Sequence, residues 1–150
     1  MKNQFKATIM LNTIIKAAEN FCIHQIRINP KISDAIPKKR TLIAYIDINT
    51  QAGQKYRVYV AVGRSFVQRV AKLFLEENKS DEETLKDMNL EITNLIVGSA
   101  KVIAEQEGVN PYMISTPHFL KIDVFDLPCD NAKTLKIKND TMFIAIKELN

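Results

Sequence analysis

Two β-branched segments joined by a four-residue connection restrict the possible folds of this chain more than any other feature. Residues 41–50, TLIAYIDINT, and residues 55–63, KYRVYVAVG, alternate in polarity and are rich in residues that favour strands. The connection, QAGQ, contains a glycine and is long enough only for a tight reversal. The pattern therefore predicts a β-hairpin, and with it an antiparallel sheet.

The remaining elements extend this sheet and supply helices. Helical spacing of apolar residues predicts helices at 7–22, at 65–78 and from about 82 to 107. In the second helix the residues expected on the apolar side are Phe66, Val67, Val70, Phe74 and Leu75. The stretch 23–40 predicts a short strand and a loop with two prolines. The last third contains three further strand-like segments: FLKIDVFDL, TLKIK and TMFIAIKEL.

The order of these elements predicts the fold class. A tight turn at KND, residues 138–140, separates the last two strand-like segments, so neighbouring strands are again joined by short turns. We expect an α+β fold, with a mainly antiparallel sheet and long helices packed on one face. The length of 150 residues and the absence of a linker-like segment predict a single domain spanning 1–150.

Composition and charge argue against several classes of protein. Hydrophobic residues make up 46% of the chain and charged residues 25%, as in ordinary globular proteins. The net charge of +4 is spread along the sequence, so we expect no nucleic-acid partner. The one basic cluster, PKKR at 37–40, is compatible either with a solvated loop or with a docking patch.

Cysteines, histidines and hydropathy predict a cytoplasmic protein without a metal site. Cys22 and Cys129 lack CxxC spacing, which favours reduced thiols over zinc ligands or a disulfide framework. His24 and His118 do not form a ligand pair by spacing. There is no run of about 18 apolar residues and no clear signal peptide, so we expect no membrane segment.

The helix from about 82 to 107 has clear signals at both ends. Ser80 and Glu83 fit a capping box, and acidic residues follow in the first turn, where the helix dipole favours them. At the other end, Gly108 is expected as the C-terminal cap, with Pro111 beyond it. These signals predict a helix of six or seven turns.

One face of this helix has an unusual arrangement of polar residues. At about 100° per residue, six positions fall in a band roughly 80° wide. We call them the polar line: Asp87, Glu91, Asn94, Gly98, Lys101 and Glu105. The core face is expected to hold Met88, Ile92, Leu95, Ile96 and Ile103. Apolar residues flank the polar line on both sides, with Leu90 and Val97 on one flank and Leu95 and Val102 on the other.

Two interpretations of the polar line remain open at this stage. A polar strip between apolar flanks favours a docking surface over a face turned only to water. Acidic residues on a helix surface are nevertheless often merely solvated. Gly98 costs about 1 kcal/mol relative to alanine in a helix. It either admits a partner close to the backbone or allows another helix to pack there.

The spacing along this helix resembles a known signature. Three residues separate Asp87 from Glu91, two separate Glu91 from Asn94, and twenty-two separate Asn94 from Pro117. This spacing is similar to the pattern of the CheC/CheX chemotaxis phosphatases. The string LEITNLIVGSAK resembles the CheX branch, including the glycine after the asparagine. The resemblance covers residues 65–120 well and the rest only in the order of elements.

The resemblance implies an enzyme, a protein aspartyl-phosphate phosphatase that dephosphorylates a CheY-type response regulator. It implies Asn94 and Glu91 as catalytic residues, with Asp87, Gly98 and Lys101 at the partner-binding surface. Pro117 is expected to shape the chain near the site. The first helix segment, MLNTIIKAAENFCIH, holds no second Glu-x-x-Asn site, which resembles the single-site CheX type. The resemblance to that type implies a homodimer. The resemblance also implies no cofactor of its own, with Mg²⁺ on the regulator.

Two other functions remain as alternatives. One is a non-catalytic, regulator-binding module related to flagellar switch components, which form part of the same broad family. The other, a small basic nucleic-acid binder, rests only on the net charge.

Overall fold

Three α-helices and seven strands make up the described part of the chain. The computed structural model describes residues 2–108 and 111–149, with side chains from Lys6 onward. No helix within these ranges is long and apolar enough to cross a membrane. In chain order the elements are α1 (Lys2–Phe21), a π-helical turn (Cys22–Ile26), β1 (Lys31–Ser33), β2 (Thr41–Thr50), β3 (Lys55–Val62), α2 (Arg64–Leu75), α3 (Glu82–Gln106), β4 (Tyr112–Ile114), β5 (His118–Asp123), β6 (Asn131–Ile137) and β7 (Asp140–Glu148).

The strands form one antiparallel sheet, which confirms the predicted fold class. Its order is β1-β6-β7-β3-β2, and β4 and β5 both pair with the free edge of β2, one after the other. The predicted hairpin is β2–β3, with Ile43 opposite Ala61. The predicted turn near residues 138–140 joins β6 to β7 and contains Lys138 at φ 57°.

The helices cover one face of the sheet, as expected. Alternate residues of the central strands point toward α1, α2 and α3 and form the main core with them, since successive strand residues face opposite sides. The strand residues on this face include Leu42, Ile46, Ile48, Val58, Val60, Val62, Met142, Ile144 and Ile146. The long helix α3 therefore has one face fixed in the core and the other directed away from the sheet.

The opposite face of the sheet carries a smaller apolar cluster. Phe125, in the segment after β5, packs its ring 4.8 Å from that of Phe143 and 5.4 Å from that of Tyr59. Ile43 and Ala145 complete the buried floor beneath it. The segment that contains Phe125 therefore covers the apolar part of this face.

The structure departs from the sequence-based boundaries at several points: α1 begins at Lys2 and not at residue 7, β4 was not predicted, and two helices end differently. A π-helical turn continues α1 through Ile26 and ends at Arg27, which adopts a left-handed conformation at φ 66°. In α2 the helix ends at Leu75 and not at residue 78, because Glu76 turns left-handed at φ 60° and its N–H donates to Lys72 O at 3.1 Å. Neither turn contains glycine, so the usual sequence signal for a left-handed residue is missing.

Candidate functional site

The N-terminus of α3 is capped by Asp81 and not by the predicted Ser80 box. The Asp81 side chain accepts a hydrogen bond from Thr84 N at 2.8 Å, and this bond lowers the pKa of the carboxyl. Ser80 is buried and engaged elsewhere, since its N–H donates to Gln68 Oε1 at 2.8 Å. The capping-box prediction was therefore wrong by one residue, because contact with α2 takes Ser80 out of the cap.

The C-terminus of α3 follows the prediction. Gly108 adopts φ +75°, and its N–H donates to Glu105 O at 3.3 Å. A left-handed residue just past the last turn is the usual way to close a helix, and glycine adopts it without strain. Both ends of α3 are thus defined by local hydrogen bonds.

Buried contacts hold the inner face of α3 on the sheet. Ile92 and Ile96 lie in the main core, at 0% and 1% exposure. Between them and strand β2, the buried Asn89 donates from Nδ2 to Leu42 O at 3.1 Å. The backbone carbonyl of Asn89 accepts a hydrogen bond from Thr93 Oγ1 at 2.8 Å. These contacts fix the rotation of α3 about its axis, and with it the direction of the outer face.

The polar line lies on that outer face. Asp87, Glu91 and Asn94 are exposed, and Lys101 is half-buried. None of these four side chains forms a hydrogen bond or ion pair with another described residue. Glu91 and Asn94 are three residues apart in a continuous helix, so they lie on neighbouring turns of one face. Their polar groups are therefore available to a partner.

Gly98 lies in the same face and is half-buried. A Cβ built at this position would meet no atom within 4 Å. The glycine is thus not needed for another helix of this chain to pack there, which removes the packing interpretation within the described structure. Its missing side chain leaves a low point on the outer surface of α3.

An apolar groove runs beside Glu91. It has a volume of about 620 Å³ and separates α3 from the end of α1 and the end of α2. Leu95 was predicted in the core, but it is 37% exposed and lines the groove; the half-buried Ile103 lines it too. The other lining residues are Ala17, Asn20, Phe21, His24, Gln25, Phe74, Ser99 and Val102.

The end of α2 contributes to this groove against expectation. Phe74 is 38% exposed and Leu75 is 47% exposed, although their spacing placed both on the apolar side of α2. The helix extends past the part of the core it covers, so its last turn remains uncovered. The sequence did not predict the groove, because periodicity identifies the apolar face of a helix but not which of its residues other elements bury.

Strand β5 lies on the other flank of α3. Pro117 is half-buried and immediately precedes β5, which contacts α3. Next along the chain, the ring of Phe119 lies 5.4 Å from Lys86 Nζ. Pro117 therefore lies at the start of the strand that contacts α3.

Metal-ligating and nucleophilic groups are sparse around α3. No cluster of three or more histidine, cysteine, aspartate or glutamate residues suited to a metal occurs within 2–108 and 111–149. The two cysteines are free thiols. Burial, reinforced by Glu19, raises the pKa of Cys22 to about 12, which leaves it protonated and unreactive near neutral pH.

The fold is shared with solved CheX and CheC-like structures. CheX from Vibrio vulnificus superposes with a TM-score of 0.74 at 18% identity, covering 93% of this chain and 99% of that one. A CheX–CheY complex with BeF₃ and Mg²⁺ from Borrelia burgdorferi gives 0.64 at 16% identity, covering 92% and 97%. FliY from Thermotoga maritima gives 0.58 at 15% identity, covering 98% and 90%.

The sequence itself identifies the family within this fold. Residues 43–138 match the chemotaxis phosphatase CheX family, and this segment includes the whole of α3. The chain therefore belongs to the CheX family. No curated protein matches the sequence significantly.

Proposed function

We propose that this protein is a hydrolase that removes the phosphoryl group from the aspartyl-phosphate of a CheY-type response regulator. The observation that carries the proposal is the pair Glu91 and Asn94, exposed on one face of a fixed helix and without a partner in the described chain. Family membership supports the same reaction, and the CheX–CheY complex from Borrelia burgdorferi supports the same kind of partner.

The Asn94 carboxamide suits the placement of a water molecule. Its oxygen accepts a hydrogen bond and its nitrogen donates, so one side chain can orient a water and contact an oxygen of the phosphoryl group. The water attacks phosphorus in line with the carboxylate oxygen of the regulator. The P–O bond to the aspartate then breaks, releasing inorganic phosphate, the free carboxylate and a proton. Such reactions depend mainly on positioning and charge stabilisation, which require no protonation of the amide.

Glu91 has the complementary task of anchoring the partner. Its carboxylate lies one turn before Asn94, and in this proposal it pairs with the active-site lysine that the family resemblance implies on the regulator. Asp87 and Lys101 extend the contact along the polar line, and the low surface at Gly98 admits the regulator close to the helix backbone. Mg²⁺ belongs to the regulator in this proposal, and the phosphatase uses no cofactor of its own.

The same proposal includes a cytoplasmic homodimer, as in the CheX proteins that the sequence resembles. In one subunit the sheet ends at β1 on one side and at β4 and β5 on the other. Strand edges with unpaired backbone groups can add strands from a second copy.

The decisive experiment follows the decay of a ³²P-labelled regulator with and without the protein. The wild type should accelerate decay, and Asn94→Ala should reduce the accelerated rate by about 100-fold, because the water loses its alignment. Binding of the regulator should persist. The matched control is Asn12→Ala, an exposed asparagine on α1, which should leave the rate within about twofold of wild type.

The alternative function predicts a different outcome in the same assay. The second candidate is a regulator-binding module of the same broad family without hydrolysis, because the exposed and unpartnered polar line would serve binding alone equally well. A wild-type protein that binds phosphorylated regulators but leaves their decay rates unchanged would establish that alternative.

A further inference from the structure

A cluster of basic side chains lies where β2 and α2 begin. We call it the basic surface: Lys39, Arg40, Arg64, Lys86 and Lys121. Two adjoining depressions, of about 690 and 480 Å³, share Arg40 and Arg64. The first also contains Lys86 and Lys121, and the second contains Lys39. The PKKR segment, distant in sequence from α2 and β5, thus contributes to one continuous surface with them.

Three of these charges are not neutralised within the chain. Lys39 and Arg64 are exposed and form no hydrogen bond or ion pair with any residue in the described ranges. Arg40 donates only to a backbone carbonyl, Ile122 O, at 3.0 Å. The buried carboxylate of Asp140, which lines the second depression, forms an ion pair with Arg69 at 3.3 Å. The surface therefore presents free positive charge to a partner.

The other two basic residues connect this surface to α3. Lys86 precedes Asp87 in the helix and forms ion pairs with Glu82 at 3.6 Å and Glu83 at 3.5 Å. It also lies over Phe119, on the β5 flank of α3. Lys121, two residues further along β5, pairs with Asp126 at 3.4 Å. The basic surface thus begins beside the polar line.

The polar line alone has the wrong charge for its proposed target. It carries three carboxylates, Asp87, Glu91 and Glu105, against one lysine, Lys101. The target is a phosphorylated carboxylate, and the Mg²⁺ beside it requires further oxygen ligands, usually carboxylates. Two acidic surfaces repel one another as they approach, unless cationic groups nearby offset the repulsion.

We propose that the basic surface binds acidic side chains around the phosphorylation site of the regulator and accelerates the encounter. The inference rests on the proposed function for the identity of the partner. It assigns Lys39, Arg40 and Arg64 to steering the complex and not to chemistry. The partner is the acidic surface of the regulator that the proposed function requires, and binding of a nucleic acid is an outcome that the test distinguishes.

The test measures association with a regulator loaded with BeF₃ and Mg²⁺, so hydrolysis is not required. The double variant Arg40→Glu, Arg64→Glu should lower the association rate constant by about tenfold or more at low ionic strength. The difference should largely disappear near 0.5 M salt, where charges separated by more than about 4 Å are screened. The matched control is Lys31→Glu, Lys136→Glu, which makes the same change in net charge on the opposite edge of the sheet.

A second variant guards against local misfolding. Lys39→Glu, Arg64→Glu preserves the hydrogen bond from Arg40 to Ile122 and should lower the association rate in the same salt-dependent way. Circular dichroism confirms that each variant is folded. Equal association rates for the reversed and control variants would overturn the proposal, as would a loss that persists unchanged at high salt.

The outcome is separable from that of the phosphatase proposal. A wild type that hydrolyses the phosphoryl group, with association insensitive to Arg40→Glu, Arg64→Glu, overturns only the role of the basic surface. A wild type that binds through the basic surface but does not hydrolyse overturns only the phosphatase. Nucleic-acid binding abolished by the same double variant, with unchanged regulator association, would also overturn the present proposal.

Discussion

The two long helices α1 and α3 lie side by side on the same face of the sheet, yet their outer faces differ. Both bury apolar residues fully, as at Ile14 in α1 and Ile92 in α3. On the outer face of α1, Lys16 is tied to Glu107, beyond the end of α3, at 2.9 Å. On the outer face of α3, Glu91 and Asn94 have no partner among the described residues. Exposed polar groups without a partner among the described residues, such as Asn12, also occur on α1, so the Glu-x-x-Asn spacing is what distinguishes the outer face of α3 from that of α1.

The inner faces of α1 and α3 should contribute equally to stability. Substitutions there should have the largest effect on the free energy of unfolding. Ile14→Ala and Ile92→Ala should each lower the free energy of unfolding by about 2–5 kcal/mol, because both remove methyl groups from full burial and leave cavities. Urea denaturation measures both values. A loss below about 1 kcal/mol for only one of them would show that the two helices do not contribute alike.

A bulky substitution should weaken binding of the regulator on the outer face of α3, at Gly98, but not on the outer face of α1. Gly98→Leu fills the low point beside the polar line, so its affinity for the loaded regulator should fall at least about tenfold, or 1.4 kcal/mol. Asn12→Leu, on the outer face of α1, is the matched control and should bind like wild type. Isothermal titration calorimetry provides both affinities. A folded Gly98→Leu variant with unimpaired binding contradicts the proposed approach of the partner.

Gly98→Ala is the stability control for the same position. Because the added Cβ meets nothing within 4 Å, replacement by alanine should stabilise the protein by about 1 kcal/mol through helix propensity alone. A lower melting temperature for Gly98→Ala would instead indicate that the site is crowded.

The smallest effect concerns how the two helices begin. The first turn of α1 contains no acidic residue, whereas Asp81 caps α3 and its pKa is lowered by the hydrogen bond from Thr84. A carboxyl with a lowered folded-state pKa stabilises the fold above its unfolded value near 4, and this contribution is lost as pH falls through the folded-state pKa. The Asp81→Ala variant should therefore have a lower melting temperature than wild type near neutral pH, and this difference should shrink below about pH 4.

Glu83→Ala is the control for that melt. Glu83 forms an ion pair with Lys86 at 3.5 Å, and 79% of its side chain is exposed, so its removal should change the melting temperature less than Asp81→Ala does. A larger loss of melting temperature for Glu83→Ala than for Asp81→Ala would contradict the cap at Asp81 and favour the Ser80–Glu83 capping box.

Local signals in the sequence succeeded where neighbouring residues alone decide the structure. The β2–β3 hairpin and the C-terminal cap at Gly108 depend on turns of a few residues, and both were predicted correctly. The cap at the other end of α3 was not, because Ser80 and Asp81 both suit a cap. Contact between Ser80 and Gln68, which is twelve residues away, made the choice.

By itself, the sequence determined the antiparallel sheet, the long helix and the spacing of Glu91, Asn94 and Gly98 along one side of it. Tertiary structure decided which side faces outward, because Asn89 and the core isoleucines fix the rotation of α3. It also left Leu95 and Phe74 uncovered beside Glu91 and gathered PKKR with α2 and β5 into the basic surface. The physical reason is that periodicity depends on neighbours in the chain, whereas exposure and charge clustering depend on residues that only folding brings together.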